Sequence, residues 1–206
     1  LLNEAKARRY VFLDQRVSRA EYPWEEACDE SLPAGERVHV RPVRLTDEDA
    51  LQDMFYRLSD SGTYKRFLAF KKSHPHDEMR ELVDLEDERN VALVLTAGVD
   101  SMDLVGMARY DVDPATSLAD IAFAVRDDWQ GRGVGGLLMR RMTEIARARG
   151  IEGFTATVPA ANKRMMMVFH RSGLHVHADL IDGTYHLIAK FPDADEAASS
   201  DSTKPR

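Results

Sequence analysis

The sequence predicts an α/β fold in which helices flank a mixed, mostly antiparallel, twisted sheet. Three observations carry that prediction. NVALVLTAG (from Asn90), LVGMARYDV and LADIAFAV follow one another, separated by turn-forming residues around Asp100–Asp103 and Pro114; three such runs read most simply as an antiparallel meander. From Gly135 to Arg149 the apolar period changes to that of a helix. Strand-like and helix-like segments then alternate as far as Phe191.

Composition bounds the function. The 206 residues are 44% hydrophobic, enough for a sizeable core in one domain with some appended sequence. A net charge of −7 argues against a general nucleic-acid or membrane-surface binder. Cys28 is the sole cysteine, so no internal disulfide forms and a reducing cytoplasm is the expected location. No apolar run approaches the roughly 20 residues that span a bilayer, and the N-terminus lacks the shape of a signal peptide. The chain begins at Leu1 rather than Met, which reads as trimmed or cut from something longer.

Residues 1–36 are charged and weakly patterned, with a possible helix over Ala5–Arg19 followed by Pro23 and Pro33; they read as an arm or linker. The domain is expected over 37–191. RVHVRPV alternates, placing Val38 and Val40 on one face of a strand. Thr46 opens a helix with Asp47, Glu48 and Asp49 in its first turn, where negative charge is favoured. Ala50, Leu51, Met54, Phe55 and Leu58 fall at helical spacing within it. Further helical pieces are expected over Thr63–Phe70 and Pro75–Leu85, ahead of the meander. After it come the helix Gly135–Arg149, a strand Gly153–Val158, a helix Asn162–Arg171, and short strands near Leu174–Leu180 and Thr184–Phe191. The polar tail 192–206 reads as disordered.

The turn between the strand Leu118–Val125 and the next helix carries Gly131, Gly133 and Gly135. Glycines at a helix mouth let backbone N–H groups close around an anion, and the helix dipole adds attraction. Gln130–Gly135 is therefore a candidate pyrophosphate cradle, with Val134, Leu137, Leu138 and Ile145 of the helix facing inward. No Gly-Lys-Ser/Thr ending is present, so it is not a P-loop, and neither spacing nor context suits a Rossmann turn. Upstream, alternation puts Ile121, Phe123 and Val125 on one strand face, and Leu118, Asp120, Ala122 and Ala124 on the other. A carboxylate beside two alanines suggests a cleft-facing acid; the plain alternative is a solvated Asp near a strand start.

Gln130-Gly131-Arg132-Gly133-Val134-Gly135 matches the Gln/Arg-x-x-Gly-x-Gly/Ala signature of the GNAT superfamily of acyl-CoA-dependent N-acyltransferases, and the order of elements over 37–191 is similar to that family. The resemblance implies a GNAT fold, acetyl-CoA as acyl donor, and a cradle that binds its pyrophosphate through Gln130, Gly131, Arg132, Gly133, Val134 and Gly135. It also implies a bulged strand whose Phe123, Ala124 and Val125 lie along pantetheine and thioester, and an Asn162 that contacts the pantetheine arm. FYRLSDSGTYKRFLAF, ADIAFAVRDDWQGRGVG and IARARGI together resemble the acetyltransferase domain of bacterial protein lysine acetyltransferases acting on acyl-CoA synthetases. In those proteins a strand glutamate is the general base. The matching position is Asp120, one methylene shorter, roughly 1.5 Å of reach.

A lysine amine with pKa near 10.4 must lose a proton before it attacks, which is the role this assigns to Asp120, directly or through water. Asn162 is also a good N-cap by residue type. Seven residues on, where many family members carry a proton-donating Tyr, stands Phe169. His170 beside it is a weaker candidate acid, and Lys163 and Arg164 rank below Arg132 as phosphate contacts. Trp129 is expected to pack the loop, and Met165–Met167 to fill core and cofactor pocket. Neither His74/His76 nor His175/His177 has a third ligand nearby, so no metal site is expected. The reading is an N-acetyltransferase that modifies a protein lysine by direct transfer in a ternary complex, with an acyl-CoA synthetase as one possible acceptor. The alternatives are an acetyltransferase for a small amine and a non-catalytic acyl-CoA-binding module. No nucleic-acid or membrane partner is expected, and the oligomeric state is open.

Overall fold

The computed structural model describes residues 26–58, 82–83, 90–98 and 101–192. The expected helices over Ala5–Arg19 and Thr63–Phe70, most of Pro75–Leu85, His74 with His76, and the tail beyond Pro192 lie outside them. The described part is an eight-stranded sheet with three α-helices. The strands are β1 (Cys28–Ser31), β2 (Arg37–Pro42), β3 (Val91–Thr96), β4 (Leu104–Val112), β5 (Leu118–Val125), β6 (Gly153–Pro159), β7 (His175–Ile181) and β8 (Thr184–Lys190); the helices are α1 (Glu48–Tyr56), α2 (Val134–Ala148) and α3 (Lys163–Arg171). Strand order is β1-β2-β3-β4-β5-β6-β8-β7. β5 and β6 run parallel, while β1/β2, β2/β3, β6/β8 and β7/β8 are antiparallel. No helix among the described residues is long and apolar enough to cross a membrane. The described residues gather into two compact units: those up to Arg109 with Phe123–Val134, and Tyr110–Ala122 with those from Gly135 onward.

In the first unit the expected β2 alternation holds through Val40, with Val38 and Val40 fully buried, and then gives way to a run of buried residues at Arg41 and Pro42. The sheet begins earlier than that pattern, however. Cys28–Ser31 pairs with Arg37–Val40, with His39 Nδ1 and Asp29 Oδ1 2.7 Å apart across the strands. This four-residue strand has no apolar alternation to announce it and is specified by its neighbour. Leu51, Met54 and Phe55 of α1 are buried in a core with Val43, Leu82, Val83, Ala92, Val94, Leu104, Met107 and Ala124.

The helix start differs from the sequence expectation. Leu45–Asp47 forms a 3-10 turn, and α1 begins at Glu48. Asp47 is wholly buried rather than sitting in the helix's first turn. Its carboxylate accepts both arms of the Arg41 guanidinium, at 2.6 and 2.8 Å, and the Arg44 N–H at 2.8 Å. Burying such a pair is tolerable because its lone pairs are filled by charge-assisted bonds.

In the second unit α2 buries Leu138, Met139, Met142, Ile145 and Ala146, as its period predicts. Phe154 of β6 is fully buried between Tyr110 and Phe191, with ring centroids 6.0 and 5.0 Å away. β7 and β8 are joined by Asp182-Gly183, whose φ of 49° and 74° suit the two-residue turn that matches strand twist.

Candidate functional site

The loop 130–134 is built in the first unit at the end of β5. Val125 is followed by Arg126, a residue 6% exposed whose guanidinium holds two carboxylates. Its Nε and Nη2 donate to the two oxygens of Asp128 at 2.7 and 3.0 Å, and Nη1 donates to Asp103 at 2.5 Å. These bonds hold the Asp128 carboxyl below its ordinary range and raise the guanidinium further. Arg126 also donates its backbone N–H to Val105 O at 3.0 Å. The chain leaving β5 is thereby pinned before the 3-10 turn Asp127–Trp129. Sequence reasoning passed over Arg126; the signal available was an Arg-Asp-Asp run where an apolar strand ends.

Gln130 donates its side-chain amide to Val125 O at 3.0 Å and to Asp127 at 2.8 Å, tying the loop back to the strand. Gly131 and Gly133 have φ of 78° and 102°, a region that side-chain-bearing residues avoid. A Cβ on Gly133 would lie 2.8 Å from Pro33 Cδ, so the turn Leu32–Glu36 sits directly against the loop. Arg132 reaches the same turn through Glu36, 3.4 Å away, and covers the Trp129 ring at 5.0 Å, so Trp129 does pack the loop. Pro33 and Glu36 lie in the segment that reads from sequence as an arm.

The fifteen-residue α2 then starts at Val134 with no acidic residue in its first turn. Its leading amides are not neutralised by a carboxylate of their own helix, which leaves the positive dipole end for an anion. Within the loop, the glycine conformations and the half-exposed Arg132 suit a phosphate group.

Along β5 the alternation holds through Phe123, with Ala119, Ile121 and Phe123 buried and Leu118, Asp120 and Ala122 half-buried. It ends at Ala124, which is 1% exposed and belongs to the core of the first unit. Ala124 therefore does not share Asp120's environment, a correction to strict alternation; two adjacent side chains are buried because that end of the strand is packed on both faces.

Asp120 is in the second unit. It lies opposite Thr155 in the parallel pairing, and Thr155 Oγ1 donates to Asp120 Oδ1 at 3.2 Å. Thr155 escaped the sequence reading because only the register of β5 on β6 brings the two together. The same row continues across the sheet to Ile188 and then His177. Along that row the described residues pass from half-buried Asp120 and Thr155 to Ile188, 39% exposed, and His177, open to solvent. An open groove of about 700 Å³ lies on that side, lined by His170, Leu174, His175, His177, Ile188 and Lys190.

Asn162 caps α3, its Oδ1 accepting the Met165 N–H at 3.0 Å. Phe169 is a core residue at 1% exposure, whereas His170, Lys163 and Arg164 are exposed. Met165 and Met166 are half-buried, but Met167 is 49% exposed rather than core; it falls on the outer side of a nine-residue amphipathic helix. Among the described residues no cluster of three or more His, Cys, Asp or Glu is placed to hold a metal.

A mixed, mostly antiparallel sheet with a tied-back glycine loop between β5 and α2 is the arrangement of a GNAT fold. The acetyltransferase (GNAT) family profile matches residues 53–174, and the chain belongs to that family. An acetyltransferase of Pseudomonas aeruginosa is 30% identical over 137 residues, 66% of this chain and 74% of the relative. Acetyltransferase Pat of Mycolicibacterium smegmatis is 28% identical over 140 residues; they are 68% of this chain but only 41% of that protein's length. Among solved structures, the GNAT domain of S. lividans PAT superposes with a TM-score of 0.72 at 29% identity, covering 83% of this chain and all of that one.

Proposed function

We propose that the protein transfers an acetyl group from acetyl-CoA to a lysine ε-amine on a protein acceptor, with Asp120 as general base. The observation that carries this reading is the row of side chains that leads from Asp120 to exposed residues at the end of the sheet. A small-amine enzyme is expected to enclose its acceptor, whereas the row from Asp120 through Thr155 to Ile188 and His177 ends in exposed side chains. A lysine presented on a protein surface can be laid along such a row. Its likeness to Pat and to S. lividans PAT supports the same reading, and an acyl-CoA synthetase is one acceptor to try.

The donor is assigned to the C-terminal half of β5 and the loop after it. Phe123, Ala124 and Val125 supply backbone to pantetheine and thioester, Asn162 contacts the pantetheine arm, and Gln130–Gly135 hold the pyrophosphate. Arg132 exchanges Glu36 for phosphate at little cost, since an exposed ion pair contributes only about 0–1 kcal/mol. Thr155 orients the Asp120 carboxylate. That carboxylate removes one proton from the lysine ammonium, directly or through water, and the freed nitrogen attacks the thioester carbonyl within a ternary complex. The carbon–sulfur bond breaks, the new amide nitrogen gives up its second proton to solvent, and CoA leaves as a thiolate, a tolerable leaving group that takes its own proton from solvent because Phe169 has none to give.

Labelled acetyl-CoA offered with acyl-CoA synthetases and with small amines tests this. Acetyl-lysine on protein is the expected product. Label on small amines alone overturns the protein acceptor, and no transfer to any acceptor overturns the catalytic reading. Asp120→Asn should lower kcat by about 10²–10⁴-fold while sparing acetyl-CoA binding; undiminished turnover removes Asp120 as base.

A further inference from the structure

The two ends of the sheet are managed differently. β1 is four residues long and carries Asp29 and Glu30, a short charged edge of the kind that resists further pairing. β7 closes the other end and, among the described residues, pairs with β8 alone. It runs for seven residues, His175–Ile181, with no Pro or Lys. Leu180 and Ile181 are 57% and 54% exposed. Its one carboxylate is Asp179, so it is longer and less charged for its length than β1.

Its hydrogen-bonding direction follows from the hairpin. With a two-residue Asp182-Gly183 turn, Ile181 and Thr184 form a hydrogen-bonded pair, so Ile181, Asp179 and His177 direct their N–H and C=O toward β8. Val176, Ala178 and Leu180 direct theirs outward.

We infer that β7 is a homodimer interface, in which two copies pair their β7 strands antiparallel about a two-fold axis at Ala178 and join their sheets edge to edge. The register is self-complementary. Ala178 meets Ala178 of the second copy, and Val176 meets Leu180, so every outward backbone group meets another in hydrogen-bonding phase. On one face Leu180 gains an apolar neighbour in Val176. On the other His177 stands opposite Asp179 at a closely spaced position, twice by symmetry. His177 and Asp179 already lie 3.4 Å apart within one strand, so the pairing makes an alternating ring of four. A shift that centres the axis on Asp179 sets the two carboxylates against each other, and one centred on His177 sets the two imidazoles together. The Ala178 register avoids both.

Sedimentation velocity on the full chain at tens of micromolar should give twice the mass of one chain. Leu180→Lys, at an exposed site, should give the single mass with an unchanged circular dichroism spectrum. At pH 6, Asp179→Lys should raise the dimer dissociation constant about tenfold, and adding His177→Asp should restore it. In a Cys28→Ser background, Ala178→Cys should form an interchain disulfide, because paired α-carbons roughly 5.5 Å apart lie within disulfide reach. His175→Cys, placed opposite Ile181, should not. A monomeric wild-type chain, a dimer unaffected by both Leu180→Lys and Asp179→Lys, or no cross-link at Ala178→Cys overturns the inference.

Discussion

Replacing Gly133 by Ala should cost far more than replacing Gly131, although both have left-handed backbones. For either position the φ of 78° or 102° imposes about 1–2 kcal/mol on a residue with a Cβ. Around Gly131 nothing lies within 4 Å of the added atom, so that is the whole cost. At Gly133 the new atom lies 2.8 Å from Pro33 Cδ and 3.2 Å from Cγ. A proline ring cannot swing aside, and its turn is held by Leu32 N–H to Glu36 O at 2.9 Å and Gly35 N–H to Leu32 O at 2.8 Å. Overpacking of this kind costs about 1–3 kcal/mol more, for a total of about 2–5 kcal/mol. Urea denaturation of both variants measures the difference. A double-mutant cycle with Pro33→Ala isolates the clash and should return about 1–3 kcal/mol, leaving the backbone strain in place. Equal costs at Gly131 and Gly133, or no coupling to Pro33, would refute the claim that the Leu32–Glu36 turn shapes the cradle.

Asp47→Ala strands the buried Arg41 guanidinium without its carboxylate and should cost about 3–5 kcal/mol in denaturant unfolding. Replacing both residues, Arg41→Met with Asp47→Leu, should recover most of that loss. The Asp128 carboxyl is held below its ordinary value of 3.8 by the hydrogen bond from Arg126. Its contribution is therefore fully present above about pH 3.8 and fades as pH falls through its lower folded value. In acid titrations of stability the wild type should lose more in that window than Asp128→Asn, and parallel curves would argue against the link.

The pattern of apolar residues was enough to determine which segments form strands and helices. β5 runs over Leu118–Val125 as its alternation demands, and α2 buries the stripe that its 3.6-residue period lays out. The glycine turn was legible too, since glycine is the residue that occupies positive φ without penalty. These are local properties, encoded in consecutive side chains. What the sequence could not state are meetings between segments far apart in the chain. Cys28–Ser31 is a strand because β2 offers it unpaired backbone, while its own residues have no strand signature. Asp47 reads as a helix-start charge and instead neutralises Arg41, because the burial that makes the pair necessary exists only once β2 and α1 are in place. Thr155 reaches Asp120 only through the parallel register of β5 on β6. Pro33 comes to rest on Gly133 across a hundred residues of chain. Periodicity decides what each segment becomes, and packing decides which side chains then share a site.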